Sequence, residues 1–439
     1  MNDNTLADFL ASLAQLSGLI PSPPKKASPK QAPKKSSRHR AAKPAKTAKT
    51  PKASPATGKS SKTTRKPRKT KKTTKKSSFG SLKDTACTRP WTKNVPRVLM
   101  RALYVQTADA WVGIKNEHII VWKEQEILLE LPLCNIDQVY LFGNVQVTTG
   151  AIRLFLRQQI PLHYLTRTGR YDGVLRSPTD TNWEIVGRQS LLRNNVQHRL
   201  DFAKSIVAGK IRNSIAFLSQ HARNHNENIS LPELLRKLKQ IEDIVPGALS
   251  REQLFGMEGR AAALYFQAFA SCIRSDDFAF PGREQHPSRD PINALLSLGY
   301  TILTHRIEAC MATRGIDSRI GLLHESTRYP GLACDVIEEF RAPLVDGLVL
   351  RLVNQGMLKP EDFLWGDSDE EEDEQNACLL TPGGRKKFLA AFESRLDQYH
   401  IHPDVNEEVD WRRIIDLQVC RLKSFLTGQV SEYIPIQIK

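Results

Sequence analysis

The amino-acid sequence lacks three features that would each point to a particular class of protein. It has no run of 18 or more apolar residues, which excludes a membrane-spanning helix. Its seven cysteines are scattered and never form a C-x-x-C pair, which argues against a disulfide framework or a thiolate zinc site. The chain opens with Asp3 and Asp8 instead of the positive residues of a secretory signal. These absences favour a cytoplasmic protein that does not enter a membrane.

Acidic residues are missing from one long segment. Residues 21–78 contain 21 Lys or Arg and no Asp or Glu, whereas the whole chain has a net charge of +17, so the remainder carries −4. From residue 21 to about 95 the mixture of Lys, Pro, Ala, Ser and Thr cannot bury enough apolar surface to fold, and we expect a disordered basic tail. A DNA tether is the favoured interpretation of this tail, and a plain linker or a start codon assigned too early are the alternatives.

Two further segments have open interpretations. Residues 1–20 have leucines three or four apart, which predicts a short amphipathic helix that either docks a partner or forms only in context. Residues 366–375, "GDSDEEEDEQ", are by default a solvated acidic loop. The alternative is a mimic of DNA that competes for the basic tail.

The hydrophobic pattern changes its period along the rest of the chain. Period-two runs such as "RVLMRALYV" and "HIIVW" predict strands, and "TTGAIRLFLRQQ" predicts one helix among them, in a small β-rich domain at 96–178. Capping boxes at Ser230 and Ser250 and the helix start at Asp290 mark helices beyond it, so 179–439 is predicted to be a larger all-α domain. The fold class is therefore α+β, preceded by the disordered tail.

One stretch, "LLHESTRYPGLACDVIEEFR", carries a histidine ahead of three acids: His324, Asp335, Glu338 and Glu339. A helix over 332 to about 341, with Pro343 beginning the next, would place Asp335 and Glu338 on one face. Two carboxylates this close repel unless a cation or proton holds them, and the imidazole of His324 supplies a third ligand. Such oxygen and nitrogen donors suit Mg²⁺ or Mn²⁺.

A second acid lies upstream in "LFGMEGRAAALYFQAF". Glu258 stands between two glycines in a helix whose alanines and aromatics mark it as buried, and an acid there needs a partner. Taken singly, each of these residues has an ordinary structural explanation, since a lone histidine is usually a satisfied polar group and helical acids usually face water. The joint pattern favours a metal site, although spacing alone leaves the choice open.

Several long motifs carry a resemblance to a known family. They occur in the order "GNVQVTTGAIRLFLRQQIPLHYLTRTGRYDGVL", "GMEGRAAALYF", "DPINALLSLGYTIL", "GLLHE" and "DVIEEFRAPLVDGLVLRL". Over about residues 96–439 the chain resembles the CRISPR-associated adaptation integrases. The resemblance implies a β domain followed by a helical domain, metal ligands at Glu258, His324 and Glu338, and a further acid beside the metal at Asp335. Many members have Asp where this chain has Glu338.

Other positions are weaker parts of the same resemblance. Lys210 and Asn213 in "GKIRN" match a recurrent segment and are expected to face DNA. Arg341 either orients Glu338 or contacts phosphate, with a plain surface salt bridge as the alternative. The implied partners are DNA, a second copy of the chain that dimerises through the β domain, and a small ferredoxin-like subunit.

The implied reaction is metal-dependent strand transfer, in which the 3′-hydroxyl of a captured DNA fragment attacks a phosphodiester of the CRISPR repeat. His324 is expected to be a metal ligand, with proton transfer to the leaving group as the second possibility. Two other functions remain open. One is a stand-alone metal-dependent nuclease on branched or repair intermediates, or a transposon integrase. The other is an architectural DNA-binding protein dominated by the tail, against which the acids at 258 and 338 argue.

Overall fold

The computed structural model describes residues 100–178, 182–224, 231–284, 288–325, 329–366 and 377–438. The predicted N-terminal helix, the basic tail, the acidic loop beyond residue 366 and the capping residue Ser230 lie outside these ranges. Among the described helices, none combines the length and the apolar character needed to cross a membrane.

The first region is rich in strands, as predicted. Its elements are β1 Ala102–Val105, β2 Trp111–Lys115, β3 His118–Lys123, β4 Glu126–Pro132, β5 Gln138–Phe142, β6 Gln146–Val147, α1 Thr149–Arg157, β7 Leu162–Leu165 and β8 Tyr171–Leu175. They form two four-stranded sheets, in the orders β1-β5-β7-β8 and β4-β3-β2-β6. Helix α1 packs Ala151 and Phe155 into the core between them. Thr148 caps this helix by accepting from the backbone N–H of Ala151.

The second region is mainly helical, which confirms the predicted α+β class. Its elements are α2 Trp183–Asn194, α3 Val196–Asn224, α4 Leu231–Ile244, α5 Arg251–Ala270, α6 Pro291–Thr313, α7 Gly331–Ile337, α8 Gly347–Asn354, β9 Phe363–Gly366, β10 Ala377–Leu380, α9 Pro382–Leu396, β11 Tyr399–His402, β12 Glu407–Asp410 and α10 Trp411–Leu426. The predicted starts of α5 at Ser250 and of α6 at Asp290 are confirmed by side-chain caps. The antiparallel pairs β9/β10 and β11/β12 correct the expectation of an all-α region.

Helix α6 lies at the centre of the helical region and is buried along most of its length. It also ties the two regions together through Arg306, which is completely buried. The Arg306 guanidinium donates to the carbonyl of Met100 and, over 2.7 Å, to the hydroxyl of Tyr104, and it pairs with Glu393 on α9. Because this buried guanidinium bonds to groups from both regions, it fixes the position of α6 relative to β1.

The helix predicted over 332 to about 341 is interrupted. Helix α7 ends at Ile337, a turn covers 338–340, and a π-helical segment, Arg341–Asp346, leads into α8. The cause is Pro343, which has no N–H to donate to the carbonyl four residues earlier, at Glu339. π-Helical segments are common at functional sites because they change the direction of side chains. Glu338 therefore lies at a break in the helix.

Candidate active site

The loop that carries His324 is organised by Asp335, which is fully buried on α7. The Asp335 carboxylate accepts hydrogen bonds from the backbone N–H groups of Leu322, Leu323 and His324 at 2.8, 3.0 and 2.8 Å. It also lies 2.8 Å from Nδ1 of the His324 ring. This contact fixes the ring and assigns the proton to Nδ1, which leaves Nε2 as the nitrogen available to a ligand.

Two glycines allow the His324 loop to close. A Cβ atom added to either Gly321 or Gly331 would collide with the backbone carbonyl of His324. Both glycines therefore lie directly against that carbonyl, where a side chain would not fit. This pair was not predicted, although the sequence has a glycine before and after the histidine.

Two arginines hold the same loop from outside. Arg199 Nε donates to the carbonyl of Leu322 at 2.9 Å, and Arg251 Nη2 donates to the carbonyl of Leu323 at 3.0 Å. Both guanidinium groups also pair with Glu325. Neither arginine was predicted, because each is far from the loop in sequence.

The two acids of the predicted site meet around a lysine. Nζ of Lys210, on α3, pairs with Glu258 on α5 and lies 2.9 Å from Oε2 of Glu338. Arg341 Nη1 lies 3.1 Å from the other oxygen of Glu338. Glu338 is buried, and its Oε2 makes no hydrogen bond to any described residue beyond this ion pair. Lys210 thus occupies the position between the carboxylates where a cation is required.

The charges at the site shift each other's protonation. Burial raises the pKa of Glu338, but the positive charges of Arg341 and Lys210 outweigh burial and lower it to about 2. Burial lowers the pKa of Lys210, and the carboxylates of Glu338 and Glu258 raise it above its usual value. The pKa of His324 is lowered by burial but raised further by its hydrogen bond and charge contact with Asp335, so it lies above the usual range. Glu338 and Lys210 therefore hold each other in their charged forms.

His324 faces the same helix as Glu258. Its ring centroid is 6.3 Å from that of Phe255, which precedes Glu258 by one turn of α5. Within the described part of the chain, no three His, Cys, Asp or Glu side chains are arranged to hold a metal ion as they stand. The donor chemistry nevertheless fits a hard divalent cation. The site offers two carboxylates, and a buried oxygen of one of them, Glu338, contacts only the Lys210 ammonium among the described residues. It also offers an imidazole nitrogen whose ring is oriented by Asp335.

The remaining predicted residues have defined positions. Asp335 lies behind His324, with its oxygens occupied by the loop, and thus supports the ring. Arg341 pairs with Glu338 and covers the ring of Tyr300 at 4.8 Å, so the structure favours the interpretation that it orients the carboxylate. The expectation that Asn213 faces DNA is wrong, because Asn213 is buried and its amide group bonds to backbone atoms of the protein.

Two neighbouring cavities along α5 share Phe266 in their walls, and together they are called the groove along α5. The near cavity is lined by Lys210, Glu338, Arg341, Tyr265, Phe266 and Tyr300, and the far one by Phe266, Gln267, Pro281 and Arg283. Phe266 is partly exposed and borders both parts. The hydroxyls of Tyr265 and Tyr300 donate to Asp346 at 2.5 and 2.6 Å, which fixes this wall. Aromatic rings with flanking arginines are typical of grooves that bind single-stranded nucleic acid.

The fold and the site together define a class: an α+β protein in two parts, whose helical part brings two acids together around a lysine, beside an oriented histidine. A family model described as CRISPR associated protein Cas1 matches residues 103–394. A CRISPR-associated endonuclease Cas1 of Thermus thermophilus is 34% identical over 342 residues, which cover 77% of this chain and 97% of that protein. The chain belongs to the Cas1 family of CRISPR-associated proteins, which confirms the resemblance seen in the sequence.

Two other relatives are longer than this chain, and a third is shorter. It is 32% identical over 337 residues to a Cas4/Cas1 fusion of Rhodospirillum rubrum, and the match covers 75% of this chain and 56% of the fusion. A chain in a Cas6-RT-Cas1–Cas2 complex is similar with a TM-score of 0.67 and 26% identity, over 79% of this chain and 37% of that one. A Cas1 protein from Thermotoga maritima shares the fold with a TM-score of 0.63 and 23% identity, over 77% of this chain and the whole of that one.

Proposed function

We propose that this protein is a metal-dependent DNA integrase of CRISPR spacer acquisition, which joins the 3′-hydroxyl ends of captured DNA to the CRISPR repeat. The proposal rests on the meeting of Glu258 and Glu338 around the ammonium group of Lys210, beside a histidine oriented by Asp335. Membership of the Cas1 family supports this class of reaction. A nuclease that only cleaves DNA would use the same groups and is the second candidate.

Glu258, His324 and Glu338 would hold the metal ion, Mg²⁺ or Mn²⁺. Such an ion, when bound, polarises a phosphodiester and stabilises negative charge on its oxygens. Lys210 and Arg341 keep Glu338 ionised and add positive charge beside the phosphate. His324 presents Nε2 because Asp335 holds Nδ1. A glutamate in place of the aspartate of many relatives keeps the carboxylate and lengthens its reach.

The proposed step exchanges one phosphodiester for another. A new bond forms between the attacking 3′-oxygen and phosphorus, the bond from phosphorus to the 3′-oxygen of the repeat breaks, and the proton lost by the attacking hydroxyl is balanced by one gained by the leaving oxygen. No nucleotide triphosphate is needed, since the number of phosphodiesters is unchanged. The groove along α5 supports a single-stranded end as the substrate, since Phe266 offers a stacking surface next to Arg283 and Arg341.

We further propose that the protein works as a homodimer with a small ferredoxin-like subunit. The presence of a 26% identical chain in a Cas6-RT-Cas1–Cas2 complex supports the small subunit.

Strand β4 supports the homodimer. It lies at the edge of its sheet, pairs only with β3 among the described strands, and exposes Ile127, Leu128 and Leu129 by 58, 43 and 40%. An exposed apolar edge strand is a surface that pairs with another chain.

Replacing Ile127 and Leu129 together by glutamate is expected to convert the dimer to a monomer, because two charges would be buried at the shared edge. Light scattering after size exclusion would show the mass halved. Ile401→Glu, at a hydrophobic residue 72% exposed on β11, is the control and should leave the mass unchanged. A dimer that survives the double substitution would contradict the role of β4.

The basic segment is proposed to tether the protein to DNA. Deleting residues 1–95 removes all 21 basic residues of 21–78. If about six of them contact phosphate at once, the slope of log affinity against log salt should become shallower by about 5, while the choice of integration site stays the same. A full-length variant with these residues changed to glutamine should behave like the deletion. Unchanged slopes in both variants would favour the linker interpretation.

The test of the proposed function is a joining assay. A labelled duplex with free 3′-hydroxyls is mixed with a supercoiled plasmid carrying the repeat, with and without the small subunit, in Mn²⁺, Mg²⁺ or EDTA. Label joined covalently to the repeat, and lost in EDTA, is the expected result. Metal-dependent nicking without joining would select the nuclease instead. Tight binding with no covalent chemistry in any metal would contradict both enzymatic functions and leave the architectural one.

A further inference from the structure

The turn that carries Glu338 is held only in part by its own helix. Pro343 removes the N–H that would bond to the carbonyl of Glu339. The N–H of Phe340 donates to the carbonyl of Ile337, three residues earlier, at 2.8 Å. Contacts from outside the helix therefore complete the support of this turn.

Asn213 supplies the first outside contact. Its Nδ2 donates to the carbonyl of Glu339 at 2.8 Å, which is the group that Pro343 leaves free. The same Nδ2 donates to the carbonyl of Ile436 at 2.9 Å, and Oδ1 accepts from the N–H of Ile438 at 3.2 Å. One buried amide thus joins helix α3, the turn beside Glu338 and the end of the chain. We name residues 433–438 the C-terminal strap.

The side chain of Glu339 makes the second connection to the strap. It is completely buried and accepts from the hydroxyl of Tyr433 and the N–H of Ile436, both at 2.5 Å. Gln418, on α10, donates to the same carboxylate at 2.8 Å. Since a buried carboxylate is stable only when such donors surround it, the turn and the strap depend on each other.

The strap also contacts α3 beside Lys210. A Cβ atom added to Gly209 would lie 2.5 Å from Cβ of Pro435, so the strap packs directly on the α3 backbone at this glycine. Gly209 and Asn213 are one helical turn apart, and Lys210 follows Gly209 in the chain. The strap therefore touches both elements that meet in the ion pair between Lys210 and Glu338.

We propose that the C-terminal strap is a positioning element of the active site, which holds the Glu338 turn and helix α3 in register so that Glu258 and Glu338 share one cation. Asn213 and Glu339 are its attachment points. The effect on DNA joining rests on the proposed function. The effect on the position of Glu338 and on cation binding does not require DNA.

Gly209→Ala tests the proposal, because the added methyl group displaces Pro435 without removing a hydrogen-bonding group. Tyr433→Phe is the second variant, in which only the hydroxyl bonded to Glu339 is lost. Gln437→Ala changes an exposed residue of the same strap and is the matched control. Mn²⁺ affinity is measured by calorimetry, and amide hydrogen exchange is measured at residues 338–346, both without DNA.

The first two variants are expected to bind Mn²⁺ about 10- to 100-fold more weakly, as supporting groups around metal ligands do. They should also exchange faster at 338–346, and lose turnover rate with no change in the KM for DNA. Saturating Mn²⁺ should restore part of the rate. Unchanged Mn²⁺ affinity and exchange in both variants would overturn the positioning role.

The two proposals fail in different ways. A wild-type protein that binds Mn²⁺ but joins no DNA would contradict the proposed function and leave the strap supported by the DNA-free measurements. A wild-type protein that binds no Mn²⁺ would contradict the metal centre, and hydrogen exchange would still decide for or against the strap.

Discussion

Replacing His324 by alanine is expected to lower the rate of DNA joining about a thousandfold, because the site loses its one nitrogen donor at the cation. Glu258→Gln and Glu338→Gln should have effects of similar size, since each removes a charged oxygen. The measurement is the initial rate of label transfer to the repeat at saturating Mn²⁺. Because the three groups act on one cation, a double variant should be little worse than a single one.

The control for these substitutions is Glu252→Gln, which changes an exposed glutamate in the first turn of α5, the helix that also carries Glu258. It should keep the wild-type rate within about twofold. Glu338→Gln should in addition lower the free energy of unfolding, because Lys210 and Arg341 lose their charged partner. A folded His324→Ala protein that joins DNA at the wild-type rate would contradict the assignment.

Asp335→Asn is expected to have the second-largest effect, although Asp335 does not face the cation. Its carboxylate accepts from three backbone N–H groups and from the His324 ring. Asparagine has one acceptor oxygen, so its NH₂ group would face donors of the loop. We expect the free energy of unfolding to fall by about 2–4 kcal/mol and Mn²⁺ affinity to fall about 10- to 100-fold. Urea unfolding and calorimetry measure the two effects.

A matched control for this change is Asp317→Asn. The Asp317 carboxylate also accepts from a backbone N–H and a side chain, and both belong to Arg319. The carboxylate of Asp335 instead accepts from Leu322, Leu323 and His324. The Asp317→Asn substitution should leave Mn²⁺ affinity unchanged. If Asp335→Asn bound Mn²⁺ as well as the wild-type protein does, Asp335 would not be the residue that orients His324.

The change from strands to helices was predictable, because period-two and helical spacings are local properties of the sequence. Glu258, His324 and Glu338 stood out in the sequence as candidates, because acids and a histidine are conspicuous in apolar surroundings, and their role as metal ligands is a prediction from the family resemblance. The role of Lys210 was not predictable, since it lies 48 residues from Glu258 and the ion pair exists only after α3 and α5 pack. The same holds for Asn213, whose burial depends on the far end of the chain.

The break in the helix beside Glu338 was not predicted, for a different reason. Pro343 is visible in the sequence, and its missing N–H implies a free carbonyl at Glu339. The sequence does not predict which group donates to that carbonyl, because the donor, Asn213, lies 126 residues away. The pairs β9/β10 and β11/β12 were missed because four-residue strands carry too short a pattern to distinguish from turns.

We propose that Glu258, His324 and Glu338 hold one divalent cation. Anomalous diffraction from crystals grown with Mn²⁺ would locate this ion. We expect a single strong peak about 2 Å from a carboxylate oxygen of Glu258, a carboxylate oxygen of Glu338 and Nε2 of His324. A peak at other residues would contradict the proposed ligands. A second outcome would also contradict them. In that outcome the protein joins DNA in the Mn²⁺ solution, yet its crystals show no peak and Lys210 still bridges the two carboxylates.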